Sequence, residues 1–176
     1  MSLPSVCVRH ESWPLARPFV IARGAITEVE VVVVEITRAG CTGRGESCPV
    51  PHYGESTAGV LAQVTGIAAR ISAGESWNEL HDIMPAGAAR NAVDCAIWDL
   101  QAKELLLPVW HLAGLPQPKP VDGLYTIGIG APGAMAEAAR QAAVQNPILK
   151  VKLGAAGDRE RIRAVRDAVP DRKSVV

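Results

Sequence analysis

Aromatic side chains are scarce in this chain: phenylalanine, tyrosine and tryptophan together make up 4% of its 176 residues. That scarcity argues against a stacking platform for single-stranded nucleic acid. Charge of one sign is missing too. Eighteen basic residues balance eighteen acidic ones, so no electrostatic footprint calls for nucleic acid or an anionic membrane as partner. No apolar run is long enough to span a bilayer; the longest valine run, Val31–Val34, is far too short, and the N-terminus lacks the features of a secretory signal. The four cysteines, Cys7, Cys41, Cys48 and Cys95, show no metal-site spacing, and neither do His10, His52, His81 and His111. Reduced thiols in a cytoplasmic protein are the expectation.

What is present is a core former's composition, 48% hydrophobic and 20% charged, suited to a globular protein of one domain and part of a second. Val6 to Trp13 reads as a strand that Pro14 to Pro18 should break. The valine-rich stretch Val29 to Thr37 and the glycine-rich Cys41 to Ser47 complete a predicted three-stranded antiparallel meander. Ser56 or Thr57 caps a helix with Val60, Leu61, Val64, Ile67 and Ile71 at helical spacing. A short helix follows over Trp77 to Ile83. The long helix Ala88 to Leu107 presents Ala89, Val93, Ala96, Ile97 and Leu100 and is stopped by Pro108.

Pro116, Pro118 and Pro120 mark a seam, so residues 1–115 and 121–176 are expected to form separate domains. Beyond the seam the pattern alternates: strand Leu124 to Ile129, helix Pro132 to Val144, strand Ile148 to Leu153, helix Asp158 to Ala168, and a third strand opening within Pro170 to Val176. Short connections between such elements imply parallel β/α units. A closed eightfold barrel needs ~250 residues, so two units and a strand are expected to be part of something longer, with sheet edges otherwise uncovered.

The strand containing Lys150-Val151-Lys152 carries the chemistry. Residues two apart on a strand share a face, with Cα atoms roughly 7 Å apart. Two ammonium groups so placed each disfavour the charged form of the other, and partial desolvation adds to this. A lysine that can be neutral near pH 7 is a general base or an amine nucleophile. Equally, both lysines could snorkel to water from a sheet edge, where lysine is common.

The meander, the block Ala88-Ala89-Arg90-Asn91-Ala92-Val93-Asp94-Cys95-Ala96-Ile97-Trp98-Asp99-Leu100 and the Lys150-Val151-Lys152 strand together resemble the enolase superfamily. Within it they are most similar to the L-Ala-D/L-Glu dipeptide epimerases of the muconate-lactonizing branch. Pro18 to Gly24, Gly45-Glu46, Tyr53-Gly54-Glu55-Ser56 and Pro85 to Asn91 add to the likeness. The resemblance implies an α+β capping domain followed by the first two β/α units of an incomplete (β/α)7β TIM-like barrel. It implies an isomerase acting on an acidic dipeptide in cell-wall peptide recycling, by α-proton abstraction and reprotonation through an enolate, with Mg2+ as cofactor.

By motif matching, Lys152 would be the base on one face and Lys150 its neighbour near the substrate carboxylate. Arg23 would pair with the glutamate side-chain carboxylate, and Thr126 would line the site. An exposed loop arginine and a β-branched strand residue are the plain readings of those two. The family's metal ligands belong to later barrel strands, so no residue here is assigned to metal, and the 176 residues alone are expected to be inactive. A homo-oligomer is compatible with the resemblance. Other readings stay open: an o-succinylbenzoate synthase or cycloisomerase of the same branch, a non-catalytic capping module with structural lysines, or a Schiff-base lysine enzyme.

Overall fold

The computed structural model describes residues 2–175. They form six strands and six α-helices, arranged in two compact units. One comprises Met1–Trp13 and Val29–Pro118, the other Pro14–Glu28 and Lys119–Val176.

In the first unit, β1 (Ser5–Ile21), β2 (Gly24–Arg38) and β3 (Cys41–Ser47) form a sheet in that order. The antiparallel β2–β3 register runs from Val32 opposite Ser47 to Arg38 opposite Cys41. Val32, Val34 and Ile36 project from one face of β2 into the core, joined by Val60, Val64 and Ile71 of α1 (Thr57–Ser72) and Leu80 of α2 (Trp77–Ile83). Val31 and Val33 are equally buried on the other face, where Arg9 bridges Glu11 and Glu35 at 2.8 Å each.

The expected break at Pro14 to Pro18 does not occur. β1 runs straight through both prolines to Ile21, and β2 begins at Gly24, leaving a two-residue turn at Ala22-Arg23. β1 is an edge strand, where a proline's missing N–H need not interrupt a ladder. The two strands thereby extend as a long hairpin whose tip, Pro14–Glu28, belongs to the second unit.

Helix α3 (Ala88–Leu105) lies directly against β3. A methyl group added at Gly45 would fall 1.9 Å from the Ala92 carbonyl oxygen, and one at Gly43 2.1 Å from that of Ala96. Glycine on the strand and alanine on the helix thus let two backbones touch. Asp99 fastens the pair by accepting from the Arg44 amide (2.8 Å) and the Lys103 ammonium (2.6 Å), so it is a structural residue. The helix stops two residues short of Leu107. Leu106 turns left-handed at φ 53°, and Leu107, preceding Pro108, is disfavoured in helical geometry. Helix α4 (Val109–Leu112) follows.

The second unit holds β4 (Leu124–Ile127), α5 (Pro132–Ala143), β5 (Ile148–Val151), α6 (Asp158–Ala168) and β6 (Lys173–Val175). The three strands are parallel, in the order β4-β5-β6, and the barrel is not closed. Ile127, Leu149 and Val151 pack with Met135, Ala139 and Ala143 of α5 and Val165 of α6. Both barrel strands end two residues earlier than expected. The Ile129 amide donates to the Val20 carbonyl (2.9 Å), out of the sheet ladder, whereas Lys152, just beyond β5, still donates its amide to Ile127 (3.0 Å).

The β3–α3 contact generates the first prediction. Gly45→Ala forces two backbones apart and is expected to cost about 3 kcal/mol or more, read by urea unfolding. Gly66→Ala, in mid-α1 with nothing within 4 Å of the added methyl, is expected to stabilise by roughly 0.5–1 kcal/mol.

Candidate functional site

The pleat of β5 decides where the lysines stand. Leu149 and Val151 are buried in the apolar layer under α5 and α6, and Leu153 continues that row. Lys150, and Lys152 after it, therefore fall on the opposite face, each half-buried. β5 is the central strand of its sheet, so the sheet-edge explanation for these lysines does not hold. Thr126 of β4 is the direct partner of Lys150 in the parallel register, and is half-buried on the same face.

The hairpin tip crosses the C-terminal ends of these strands. A methyl group on Gly128 would lie 3.1 Å from the Val20 carbonyl oxygen and 3.7 Å from the Phe19 ring, and one on Gly154 would lie 2.6 Å from the Ala22 methyl. Arg17 also reaches back to β4, hydrogen-bonding the Tyr125 hydroxyl with its guanidinium 6.0 Å from the ring centre. Arg23 follows Ala22 directly in the exposed turn. The structure therefore brings Lys150, Lys152 and Thr126 to one face and Arg23 to the turn beside the Gly154 contact. A hollow of about 210 Å3 is lined by Arg17, Phe19, Val20, Thr126, Gly128 and Met135, among others; neither lysine nor Arg23 borders it.

Two residues of the site region carry no signal in local spacing. Arg161 of α6, with a side chain only 15% exposed, donates to the carbonyls of Gly130 (2.8 Å) and Ala156 (2.6 Å) and pairs with Asp158 at 3.1 Å. It thus ties the loop after β4 to the loop after β5. Asp158 accepts from the amides of Gly154 (2.8 Å) and Ala155 (3.3 Å). Those amide hydrogen bonds, with Arg161 adding to them, hold its carboxyl below the usual range. The i, i+3 spacing of an acid and an arginine would have suggested only a surface pair.

In the first unit, Glu55 of the Tyr53-Gly54-Glu55-Ser56 segment clamps two amides, Val50 (2.9 Å) and Ala88 (2.7 Å). It thereby caps α3, whose N-cap residue is the side-chainless Gly87. These hydrogen bonds depress its pKa. No three histidine, cysteine, aspartate or glutamate side chains converge to hold a metal ion among the described residues, and no helix among them is long and apolar enough to cross a membrane. All four cysteines are free.

Residues 4–114 match the family described as Mandelate racemase / muconate lactonizing enzyme, N-terminal domain. The chain is 45% identical over 175 residues to the L-Ala-D/L-Glu epimerase of Escherichia coli K12, covering 98% of itself and 54% of that protein. A solved enolase family member from Agrobacterium tumefaciens, described as having homology to dipeptide epimerases and binding sodium and L-Ala-L-Glu with an ordered loop, superposes with a TM-score of 0.90 at 40% identity. That match covers 97% of this chain and 52% of the other. A dipeptide epimerase from Enterococcus faecalis, complexed with Mg and L-Leu-L-Tyr, superposes with a TM-score of 0.88 at 31% identity over 99% and 52% of the two chains. The chain spans about half the length of the curated relatives it matches.

The Asp158 clamp predicts an acid-sensitive loop. Because its folded pKa is depressed, its stabilising effect is complete above the ordinary carboxylate value of 3.8 and is lost as pH falls through the lower folded value. Exchange at the Gly154 and Ala155 amides is expected to accelerate on acidification beyond the intrinsic pH trend. Asp158→Asn should remove most of that extra dependence, as followed by NMR.

Proposed function

The chain belongs to the mandelate racemase / muconate lactonizing enzyme family, and on that footing we propose that it is part of an isomerase that epimerises acidic dipeptides of the L-Ala-D/L-Glu type. The observation that carries this reading is the placement of Lys150 and Lys152 on the face of β5 turned away from the helices, with the Arg23 turn seated at the ends of β4 and β5. The name of the Escherichia coli relative and the L-Ala-L-Glu bound in the Agrobacterium structure support the choice of substrate. Residues 1–115 then act as a capping domain and 121–176 as the first units of a barrel.

In this reading the Lys152 amine takes the α-proton of the dipeptide's C-terminal residue from one face. The electrons left behind are delocalised into the adjacent carboxylate as an enolate. A proton returned to the same carbon from the opposite face, by an acid that later barrel strands would supply, completes the inversion. Lys150, sharing its face, offers its ammonium to the substrate carboxylate. Arg23 offers a bidentate fork to the distal carboxylate of glutamate, and Thr126 lines the floor. Relatives include a hydrophobic dipeptide epimerase, and a cation at position 23 is what favours an acidic residue here.

Magnesium accompanies dipeptides in neighbouring structures. The described residues of this chain do not fit the ion, so no step is assigned to it. Free thiols suit a reducing cytoplasm.

The test joins this chain in frame to the part of the Escherichia coli epimerase that it does not cover, and follows the α-proton of L-Ala-L-Glu by NMR in deuterated water. Exchange is expected in the chimera, with Lys152→Ala lowering it by about 10^2–10^4-fold. Arg23→Ala should raise KM for L-Ala-L-Glu more than for L-Leu-L-Tyr. Exchange indifferent to Lys152→Ala would refute the assignment, and the unfused chain is expected to show none.

A further inference from the structure

The hairpin tip does not rest on side chains at its point of contact. At Gly128, an added methyl would stand 3.1 Å from the Val20 carbonyl oxygen and 3.3 Å from its nitrogen. At Gly154, it would stand 2.6 Å from the Ala22 methyl. Missing side chains at both strand ends therefore form a notch, and residues 19–22 lie in it. The Ile129–Val20 hydrogen bond, 2.9 Å long, pins the strap there. On its far side Arg17 grips Tyr125 through the hydroxyl and the ring face. Gly154 also has φ +123°, a conformation that side chains rarely adopt. The notch thus has both steric and backbone grounds for being glycine.

We propose that Gly128 and Gly154 form a seat for residues 19–22, and that this seat sets where the adjoining Arg23 stands relative to Lys152, two residues before Gly154. Gly154 is then a positioning residue for recognition of the acidic substrate side chain. The seat itself stands on the contacts above, while its consequence for Arg23 rests on the function proposed for this site. Rigid placement matters because a recognition group that must be ordered on binding gives up part of its interaction energy to that ordering. Contacts of the strap at residues 17, 20 and 22 reduce the backbone share of that ordering.

Amide hydrogen exchange on the full chain tests the seat without reference to activity. Gly154→Ala is expected to lower protection at the Ile129 amide by about tenfold or more, while the Lys152 amide, bonded within the sheet, changes less than about threefold. The double variant Ala22→Gly/Gly154→Ala removes the methyl that the new side chain would strike but keeps the strained φ at position 154, so it should recover only the steric part of the lost Ile129 protection. Gly128→Ala, a milder intrusion, should lower it less, and serves if Gly154→Ala does not fold. Unchanged Ile129 protection in both single variants overturns the seat.

Kinetics in the chimera then address positioning. Gly154→Ala should raise KM for L-Ala-L-Glu about tenfold with kcat moved less than about threefold, and Arg23→Ala combined with it should be no worse than Arg23→Ala alone. A KM that responds to Arg23→Ala but not to Gly154→Ala overturns the positioning role. If neither variant moves KM while the exchange results hold, the proposed function of Arg23 is what fails, and the seat stands.

Discussion

Burial of Leu149 and Val151 beneath α5 and α6 is the constraint from which the candidate site follows. A strand has only two faces, and a one-residue slip would exchange them. Anchoring alternate residues of β5 in an apolar layer leaves Lys150 and Lys152 no choice of side. The parallel register then places Thr126 beside Lys150, and Arg161 ties together the loops that continue from the two strands. The candidate site at the carboxyl ends of the parallel strands is thus laid out by packing on the reverse of the sheet.

The first unit shows the same economy of side chains. Gly43 and Gly45 let α3 meet β3 backbone to backbone, and Glu55 supplies from a distant loop the cap that Gly87 cannot. Gly128 and Gly154 repeat the device in the second unit. At the β3–α3 contact and at the strand ends alike, the absence of a Cβ allows the close approach.

How much of this was legible in the sequence depended on how local the cause was. Cys41–Ser47, Trp77–Ile83 and Asp158–Ala168 have the bounds their periodicity predicts, because punctuation and apolar spacing lie within each segment. The α+β organisation followed by β/α units was legible for the same reason. Proline misled at β1, since whether Pro14 and Pro18 interrupt a strand depends on that strand lying at an edge. The early end of β4 was hidden because the Ile129 amide is taken by Val20, more than a hundred residues away. Lys150, Lys152, Thr126 and Arg23 could be named from motif, but the glycine notch and the Arg161 clasp depend on folded proximity that no local spacing encodes.

The hairpin tip, Pro14–Glu28, is covalently part of the N-terminal stretch yet folds with the segment after the proline-rich seam. A genetic crossover at that seam between two relatives would therefore deliver the hairpin arm from one parent and its cradle from the other. Offspring of such recombination would keep the hairpin tip seated only where the cradle's small residues match the arm laid across them. Compatibility at a few side-chain-free positions, rather than overall identity, would decide which hybrids fold with the arm in place.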